Sequence, residues 1–139
     1  MARDMSMTIE ECFKGLSDRS RLRILNLLFR GELCGCDIQY VLAVSQSNVS
    51  RHLTYLKRAG LVSDRRKGYR IYFRLSDHAH AGSPMLLAYL RHEFAREPTF
   101  MADLRKLKAA IRSGDCSVSE AIPCAPAPRA SVGRRRVTG

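Results

Sequence analysis

Hydrophobic residues in the first sixty positions recur every three or four residues, which is the spacing of helices with one buried face. Thr8, Asp18 and Ser45 are suited to cap the start of a helix, and Gly31 and Gly60 are suited to end one. The predicted segments are a first helix over about 8–17, a second between Asp18 and Gly31, a third over about 37–43 and a fourth between Ser45 and Gly60.

After Gly60 the alternation changes to every second residue, which is typical of strands. In the segment 69–75 we expect apolar side chains inward and basic ones outward, which gives a half-buried strand with a cationic outer face. The run 62–66 is predicted to pair with it across Lys67 and Gly68, because glycine accepts the positive φ of a tight hairpin. The inward residues would be Tyr69, Ile71, Phe73 and Leu75, and the outward ones Arg70, Tyr72 and Arg74.

Two further helices, over about 84–96 and 99–112, are predicted by apolar residues at helical spacing. From Ser113 onward glycine, serine, proline and alanine dominate and arginines cluster near the end, which predicts a flexible basic tail. We therefore divide the chain into a folded domain at 1–112 and a tail at 113–139.

The 139 residues carry a formal net charge of +11, which indicates a polyanionic partner. Nucleic acid is the expected partner, and an anionic membrane surface is the alternative. The chain has no apolar run of about 18 residues that could span a membrane, and Met1–Met7 lacks the apolar segment of an export signal. We therefore expect a cytoplasmic protein whose five cysteines are reduced thiols or metal ligands.

A short helix, a turn at Val44 and Ser45, a second helix and a basic hairpin together predict a DNA-binding helix-turn-helix with a wing. Glutamine or asparagine bonds bidentately to adenine, arginine to guanine, and serine hydroxyls suit phosphates. His52 adjoins the apolar stripe, so we expect a structural hydrogen bond there. The predicted fold class is mostly α with a small β-hairpin, a winged helix-turn-helix of about five to six helices. The predicted DNA contacts are Ser45, Gln46, Ser47, Asn48, Ser50 and Arg51 on the fourth helix, and Arg66, Lys67 and Arg70 in the wing.

Cys34 and Cys36 lie between the second and third helices and are separated by Gly35. On a regular helix, residues two apart point about 200° away from each other and chelate badly. At the start of a helix, with glycine between them, both sulfurs can turn toward one ion. The positive end of the helix dipole also favours the thiolate that soft ions bind. The spacing alone fits a metal site, a pair of buried apolar cysteines or a disulfide.

Three segments resemble the ArsR/SmtB family of metalloregulatory repressors, and the likeness runs from about Thr8 to Arg96. The resemblance implies a homodimer that binds an imperfect palindromic DNA operator and releases it when metal binds. It implies an interface formed by the first and fifth helices, and a metal site at the cysteine pair, because the thiol-sensing branch carries cysteines at this spacing. The segments are Glu32–Ile38 (ELCGCDI), Ser45–Val62 (SQSNVSRHLTYLKRAGLV) and Arg66–Leu75 (RKGYRIYFRL).

As(III) or Sb(III) is the inducer that the resemblance favours, with Cd(II), Pb(II) or Zn(II) as alternatives. As(III) and Sb(III) take three thiolates, so the cysteine pair is not sufficient by itself. Arsenite sensors of this branch often carry a third cysteine where this chain has Gln39. We expect a tail cysteine, Cys116 or Cys124, to be the third ligand, and we expect Cys12 to be a core residue.

Two other functional classes are compatible with the same residues. A winged-helix regulator of this kind could sense oxidation of Cys34 and Cys36 without a metal. A nucleoid-type DNA binder would show little sequence preference and no response to a ligand. An enzyme is not expected, because the chain lacks a phosphate-binding glycine loop and a dinucleotide fingerprint, and no nucleophile–base pair is evident.

Overall fold

The computed structural model describes residues 8–76 and 84–113, which form six helices and one antiparallel sheet of three strands. The elements are α1 (Ile9–Leu16), α2 (Arg19–Leu28), β1 (Leu33–Cys34), α3 (Gly35–Leu42), α4 (Gln46–Arg58), β2 (Val62–Lys67), β3 (Arg70–Leu75), α5 (Pro84–Phe94) and α6 (Pro98–Ser113). The strand order is β1-β3-β2, so the predicted hairpin gains a short third strand along the free edge of β3. The predicted fold class is confirmed, with this addition.

Three of the helices begin at the side chains that were predicted to cap them. Thr8, Asp18 and Ser45 each accept a hydrogen bond from the backbone amide three residues later, at 3.2, 3.1 and 3.2 Å. Each bond satisfies an amide that has no partner within its own helix. Local sequence therefore decides where α1, α2 and α4 start.

The third helix begins earlier than predicted, at Gly35 rather than near Asp37. The backbone of Cys34 is extended, with φ −81° and ψ 153°, and the chain passes from strand directly into helix. The helix ends at Ala43, whose left-handed backbone (φ 57°, ψ 43°) reverses the chain toward α4. The fifth helix ends at Phe94, two residues before the predicted Arg96.

The predicted inward and outward faces of β3 are wrong near the hairpin turn. Tyr69 lies in the turn and is 79% exposed, whereas Arg70 and Tyr72 are 7% and 6% exposed. The reason is β1, which sets Cys34 beside Tyr72 on the face that was expected to be solvated. The expectation of an outward cation holds for Arg74, which is exposed.

The hydrophobic core is built around α2, whose Ile24, Leu25 and Leu27 are at most 1% exposed. Ile38 of α3 and Leu56 of α4 pack into the same cluster with no exposed surface. These two helices are thereby held against α2 and against each other.

The sixth helix packs across α2 and α3. Arg23 of α2 donates two hydrogen bonds to the buried carboxylate of Asp103, at 2.7 and 2.9 Å. Lys106 Nζ donates to the backbone oxygen of Val41 in α3 at 3.2 Å. Among residues 8–76 and 84–113, no helix is both long and apolar enough to cross a membrane.

Candidate nucleic-acid interface and thiol pair

Helices α3 and α4 form a helix-turn-helix, with Ala43 and Ser45 at the turn. The buried side of α4 carries Val49, Leu53 and Leu56 at the spacing of one helical face. Because these residues pack into the core, the opposite side of α4 is presented to solvent. This arrangement has the geometry of a recognition helix that enters the major groove of DNA.

The N-terminal half of α4 presents short polar side chains and one guanidinium. Asn48 is half-buried and accepts a hydrogen bond from Arg51 through its Oδ1 atom. The Ser45 hydroxyl is exposed but already serves as the helix cap. The structure therefore brings the predicted α4 residues together at one end of the helix. The exposed ones within α4 are Gln46, Ser47, Ser50 and Arg51.

The wing presents Arg66 and Lys67, both exposed, at the end of β2 beside the turn. Gly68 in that turn has φ +67°, which a side chain would strain. Arg65 is already engaged, because its Nε and Nη2 atoms donate to the carboxylate of Glu32 at 2.7 and 2.8 Å. Arg66 and Lys67 are thus exposed cations beside the hairpin turn.

Arg70 lies in a different environment from the one predicted for it. Arg70 is 7% exposed, and its guanidinium interacts with the side chains of Tyr69 and Cys34. The guanidinium lies 5.5 Å from the centre of the Tyr69 ring. The expectation that Arg70 belongs to an outward cationic face is therefore wrong, and the structure places it beside the thiol pair.

The thiols of Cys34 and Cys36 converge at the start of α3. Their sulfurs are 3.1 Å apart, and the Cys34 thiol donates to the Cys36 sulfur. Cys34 is the last residue of β1 and is 1% exposed, whereas Cys36 lies in the first turn of α3 and is half-buried. The pair lies at the junction between β1 of the wing sheet and α3, the first helix of the helix-turn-helix.

Within residues 8–76 and 84–113, no group of three histidine, cysteine or acidic side chains is placed to hold a metal ion. Cys12 is 2% exposed in the core, as predicted, and burial raises the pKa of its thiol. Cys116 and Cys124 lie outside the described residues. The described pair can supply two thiolates, so a three-thiolate ion needs a ligand from elsewhere.

His52 connects the recognition helix to the start of α2, as the sequence predicted for a structural histidine. Its Nδ1 atom lies 3.3 Å from Arg21 Nη1 and 3.9 Å from Asp18 Oδ1. Burial lowers the pKa of His52, and the neighbouring Arg21 and Arg51 lower it further, while Asp18 opposes them. Arg21 also lies over the ring of Tyr55, 4.0 Å from its centre.

Sequence reasoning missed strand β1 and the Glu32–Arg65 ion pair. A strand of two residues shows no alternation, and the ion-pair partners are 33 positions apart. In an extended segment, residues two apart lie on the same side, so Glu32 and Cys34 would share one face. This spacing is the sequence feature that could have indicated the strand.

Helices α1 and α5 leave large apolar side chains in solvent. Ile9 and Phe13 are 59% and 56% exposed, and Met85 and Tyr89 are 82% and 61% exposed. The two residues of each helix are four positions apart and so share one face, and exposed apolar faces mark surfaces that bind another protein or a second copy.

Residues 18–64 match the family model of the bacterial regulatory protein, arsR family. The arsenical resistance operon repressor of Escherichia coli is 42% identical over 78 residues, which are 55% of this chain and 67% of the repressor. This chain belongs to the arsR family of bacterial regulatory proteins.

Two further proteins resemble this ArsR-family chain. The arsenic resistance transcriptional regulator ArsR1 of Pseudomonas putida is 48% identical over 64 residues, 45% of this chain and 50% of that regulator. The homodimeric winged helix-turn-helix DNA-binding domain from Mycobacterium bovis superposes with a TM-score of 0.54 at 29% identity, over 64% of this chain and 82% of that one. The chain thus spans between half and two-thirds of the curated relatives named here. The family resemblance, the winged fold and the class of regulatory protein rather than enzyme are confirmed.

Proposed function

We propose that this ArsR-family chain is a metal-responsive repressor of transcription in the cytoplasm. It binds a palindromic operator as a homodimer and releases it when As(III) or Sb(III) binds the thiolates of Cys34 and Cys36. The observation that carries the proposal is the convergence of the two sulfurs, 3.1 Å apart, at the start of the helix-turn-helix. Thiolates are the ligands that soft ions prefer, and two relatives are named for arsenic resistance.

The recognition surface of α4 and the thiol pair are joined through α3, which packs against α4. An ion that shifts α3 by about an ångström also tilts the polar end of α4, and base hydrogen bonds are sensitive to such a tilt. For release, the ion must bind the free repressor better than the DNA-bound one. A hundredfold preference corresponds to about 2.7 kcal/mol, within the usual allosteric range.

The homodimer is supported by the exposed apolar faces of α1 and α5. A twofold dimer presents two recognition helices to successive major grooves, which matches a palindrome with half-sites about one helical turn apart. The Mycobacterium bovis domain with the same fold is itself a homodimer.

The third thiolate is proposed to come from Cys116 or Cys124 of the tail, from the same subunit or the partner. Closing such a loop costs a few kcal/mol of chain entropy, which thiolate–metal affinity exceeds. Single Cys116→Ser and Cys124→Ser variants identify the ligand, since one should lose induction and the other should keep it. Normal induction in the double variant would exclude the tail and point to Cys12.

A second candidate function is a thiol-redox switch, which the close approach of Cys34 and Cys36 favours. Peroxide would take two electrons and two protons from the thiols, which leaves a disulfide and two waters. In that case oxidation, rather than metal, would release the operator, and a reductant would restore binding.

The deciding experiment measures operator release by fluorescence anisotropy against As(III), Sb(III), Cd(II), Pb(II), Zn(II) and peroxide, each added anaerobically. Ultraviolet thiolate-to-ion bands report binding in the same samples. Release by As(III) or Sb(III) at the lowest concentrations, with such bands, supports the proposal. Release by Cd(II), Pb(II) or Zn(II) would change the inducer, and release by peroxide alone would replace metal sensing with redox sensing.

A further inference from the structure

Three side chains form a row across the wing sheet, one from each strand. Cys34 of β1 lies opposite Tyr72 of β3, and Tyr72 lies opposite Arg65 of β2. Opposed residues in an antiparallel sheet share a face, with Cβ atoms about 5 Å apart. The Arg65 guanidinium lies over the Tyr72 ring, 5.4 Å from its centre. The row starts at a sensing thiol and ends on the strand that carries the wing cations.

The Glu32–Arg65 ion pair is a second connection between the segment that carries Cys34 and strand β2. Arg65 donates two hydrogen bonds to the Glu32 carboxylate, at 2.7 and 2.8 Å, and this bidentate geometry fixes the orientation of both groups. The Glu32 side chain is 19% exposed, so the pair is partly sheltered from water. Glu32 precedes Cys34 by two residues, and Arg65 is followed directly by Arg66. The pair therefore ties the thiol segment to the DNA-facing end of β2.

Cys34 is 1% exposed and is held in β1, whose two residues pair with β3. We expect an ion that binds its sulfur to displace this short strand, together with Glu32, which directly precedes it. The neighbouring ion pair on β2 offers a contrast. Lys57 donates to Asp64 at 3.0 Å and joins the same strand to α4 instead of β1.

We propose that the wing is a second output of the thiol site, and that Glu32 and Arg65 are the positioning residues that couple them. Movement of the thiol segment is passed through this ion pair to Arg66 and Lys67, which then separate from the DNA phosphates. The proposal rests on the proposed function and adds a route besides the one through α3 and α4. Arg65 thereby connects β2 to the segment before β1 and does not contact DNA.

The test compares wild type with Glu32→Gln, Arg65→Gln and the double variant, all as full-length protein. Ultraviolet bands give the arsenite affinity of the free repressor, and anisotropy gives the operator Kd with and without arsenite. The ratio of the two Kd values is the coupling. We expect a wild-type ratio of about 100 to fall to about 10 or less in each single variant, with no further fall in the double. Arsenite affinity should stay within about twofold of wild type.

Two matched variants separate the effect of the Glu32–Arg65 ion pair from general effects of charge and stability. Asp64→Asn breaks the Lys57–Asp64 pair on the same strand and should keep the wild-type ratio. Arg65→Lys keeps the positive charge but loses the bidentate hydrogen bonding to Glu32, so it should lose coupling as Arg65→Gln does. Circular dichroism of each variant shows that the fold is retained.

The salt dependence of operator binding reports the wing directly. The log–log slope changes by about 0.9 for each phosphate that a cation neutralises, so separation of Arg66 and Lys67 from the DNA should make it shallower by about 2 for each subunit. We expect arsenite to produce this change in wild type and not in Glu32→Gln. An unchanged coupling ratio in both single variants, with arsenite still bound and operator still released, would overturn the inference alone. Absence of arsenite binding in wild type would overturn it together with the proposed function.

Discussion

Arg21 and His52 meet at the interface of α2 and the recognition helix, with Arg21 Nη1 3.3 Å from His52 Nδ1. The same guanidinium donates to the backbone oxygens of Gly15 and Lys14 at the end of α1, at 3.0 and 3.2 Å. One arginine of α2 thus joins α1 to α4. A proton on His52 would place a second positive charge beside it.

The first prediction concerns pH. The pKa of His52 is lowered in the folded protein, chiefly by burial, so the unfolded chain takes up a proton at a higher pH than the folded one. The free energy of unfolding should therefore fall as pH drops below about 6.5. His52→Gln should show a shallower fall between pH 7 and 5 in urea titrations. His92→Gln, which removes an exposed histidine of α5, is the matched control.

The second prediction concerns the ion pair that anchors α6. Arg23 and Asp103 have side chains that are 22% and 7% exposed, so Asp103→Asn leaves a charge with little solvation. We expect a loss of about 2 kcal/mol in the free energy of unfolding, below the value for a fully buried pair. Glu97→Gln breaks the exposed Arg19–Glu97 pair and should cost less than about 1 kcal/mol. Equal losses in the two variants would contradict the role of burial.

The third prediction concerns the sensing thiols. Cys34→Ser and Cys36→Ser should each bind operator with near wild-type affinity and fail to release it with arsenite, because a serine hydroxyl does not replace a thiolate for a soft ion. Cys12→Ala removes a core thiol and should still be induced. Anisotropy with labelled operator measures all three. Normal induction in Cys34→Ser would refute the sensing site.

The fourth prediction divides base recognition from phosphate binding. Arg66→Ala should make the log–log salt slope shallower by about 0.9 for each phosphate that Arg66 neutralises, and it should weaken binding to all DNA sequences alike. Asn48→Ala and Arg51→Ala should instead relax the preference at particular base pairs, by about 1–3 kcal/mol each. Arg105→Ala makes the same change of charge at an exposed site on α6, outside the helix-turn-helix and wing, and should leave both properties unchanged.

The fifth prediction concerns the dimer. Tyr89→Asp places a charge on the exposed apolar face of α5 and should yield monomers in analytical ultracentrifugation, with loss of tight palindrome binding. Ile111→Asp alters an exposed apolar residue of α6 that is 41% exposed, and it should remain dimeric. Tight binding of a single half-site by the Tyr89→Asp monomer would show that the palindrome is not required.

The sequence by itself determined the features that depend on neighbours a few residues apart. Side chains at Thr8, Asp18 and Ser45 cap helices through bonds to amides three residues away, and the apolar stripe of α4 follows from its own spacing. The meeting of Cys34 and Cys36 was predictable for the same reason, since one glycine separates them. Local capping, periodicity and reach do not depend on the rest of the fold.

Only the tertiary structure decided which strand lies beside β3. Pairing of Cys34 with Tyr72 joins segments 38 positions apart, and that pairing buries Arg70 and Tyr72 on a face whose alternation predicted solvent. The Glu32–Arg65 bond depends on the same register. Side-chain alternation divides a strand into two faces, but burial of each face is set by the element packed against it, which local sequence does not encode.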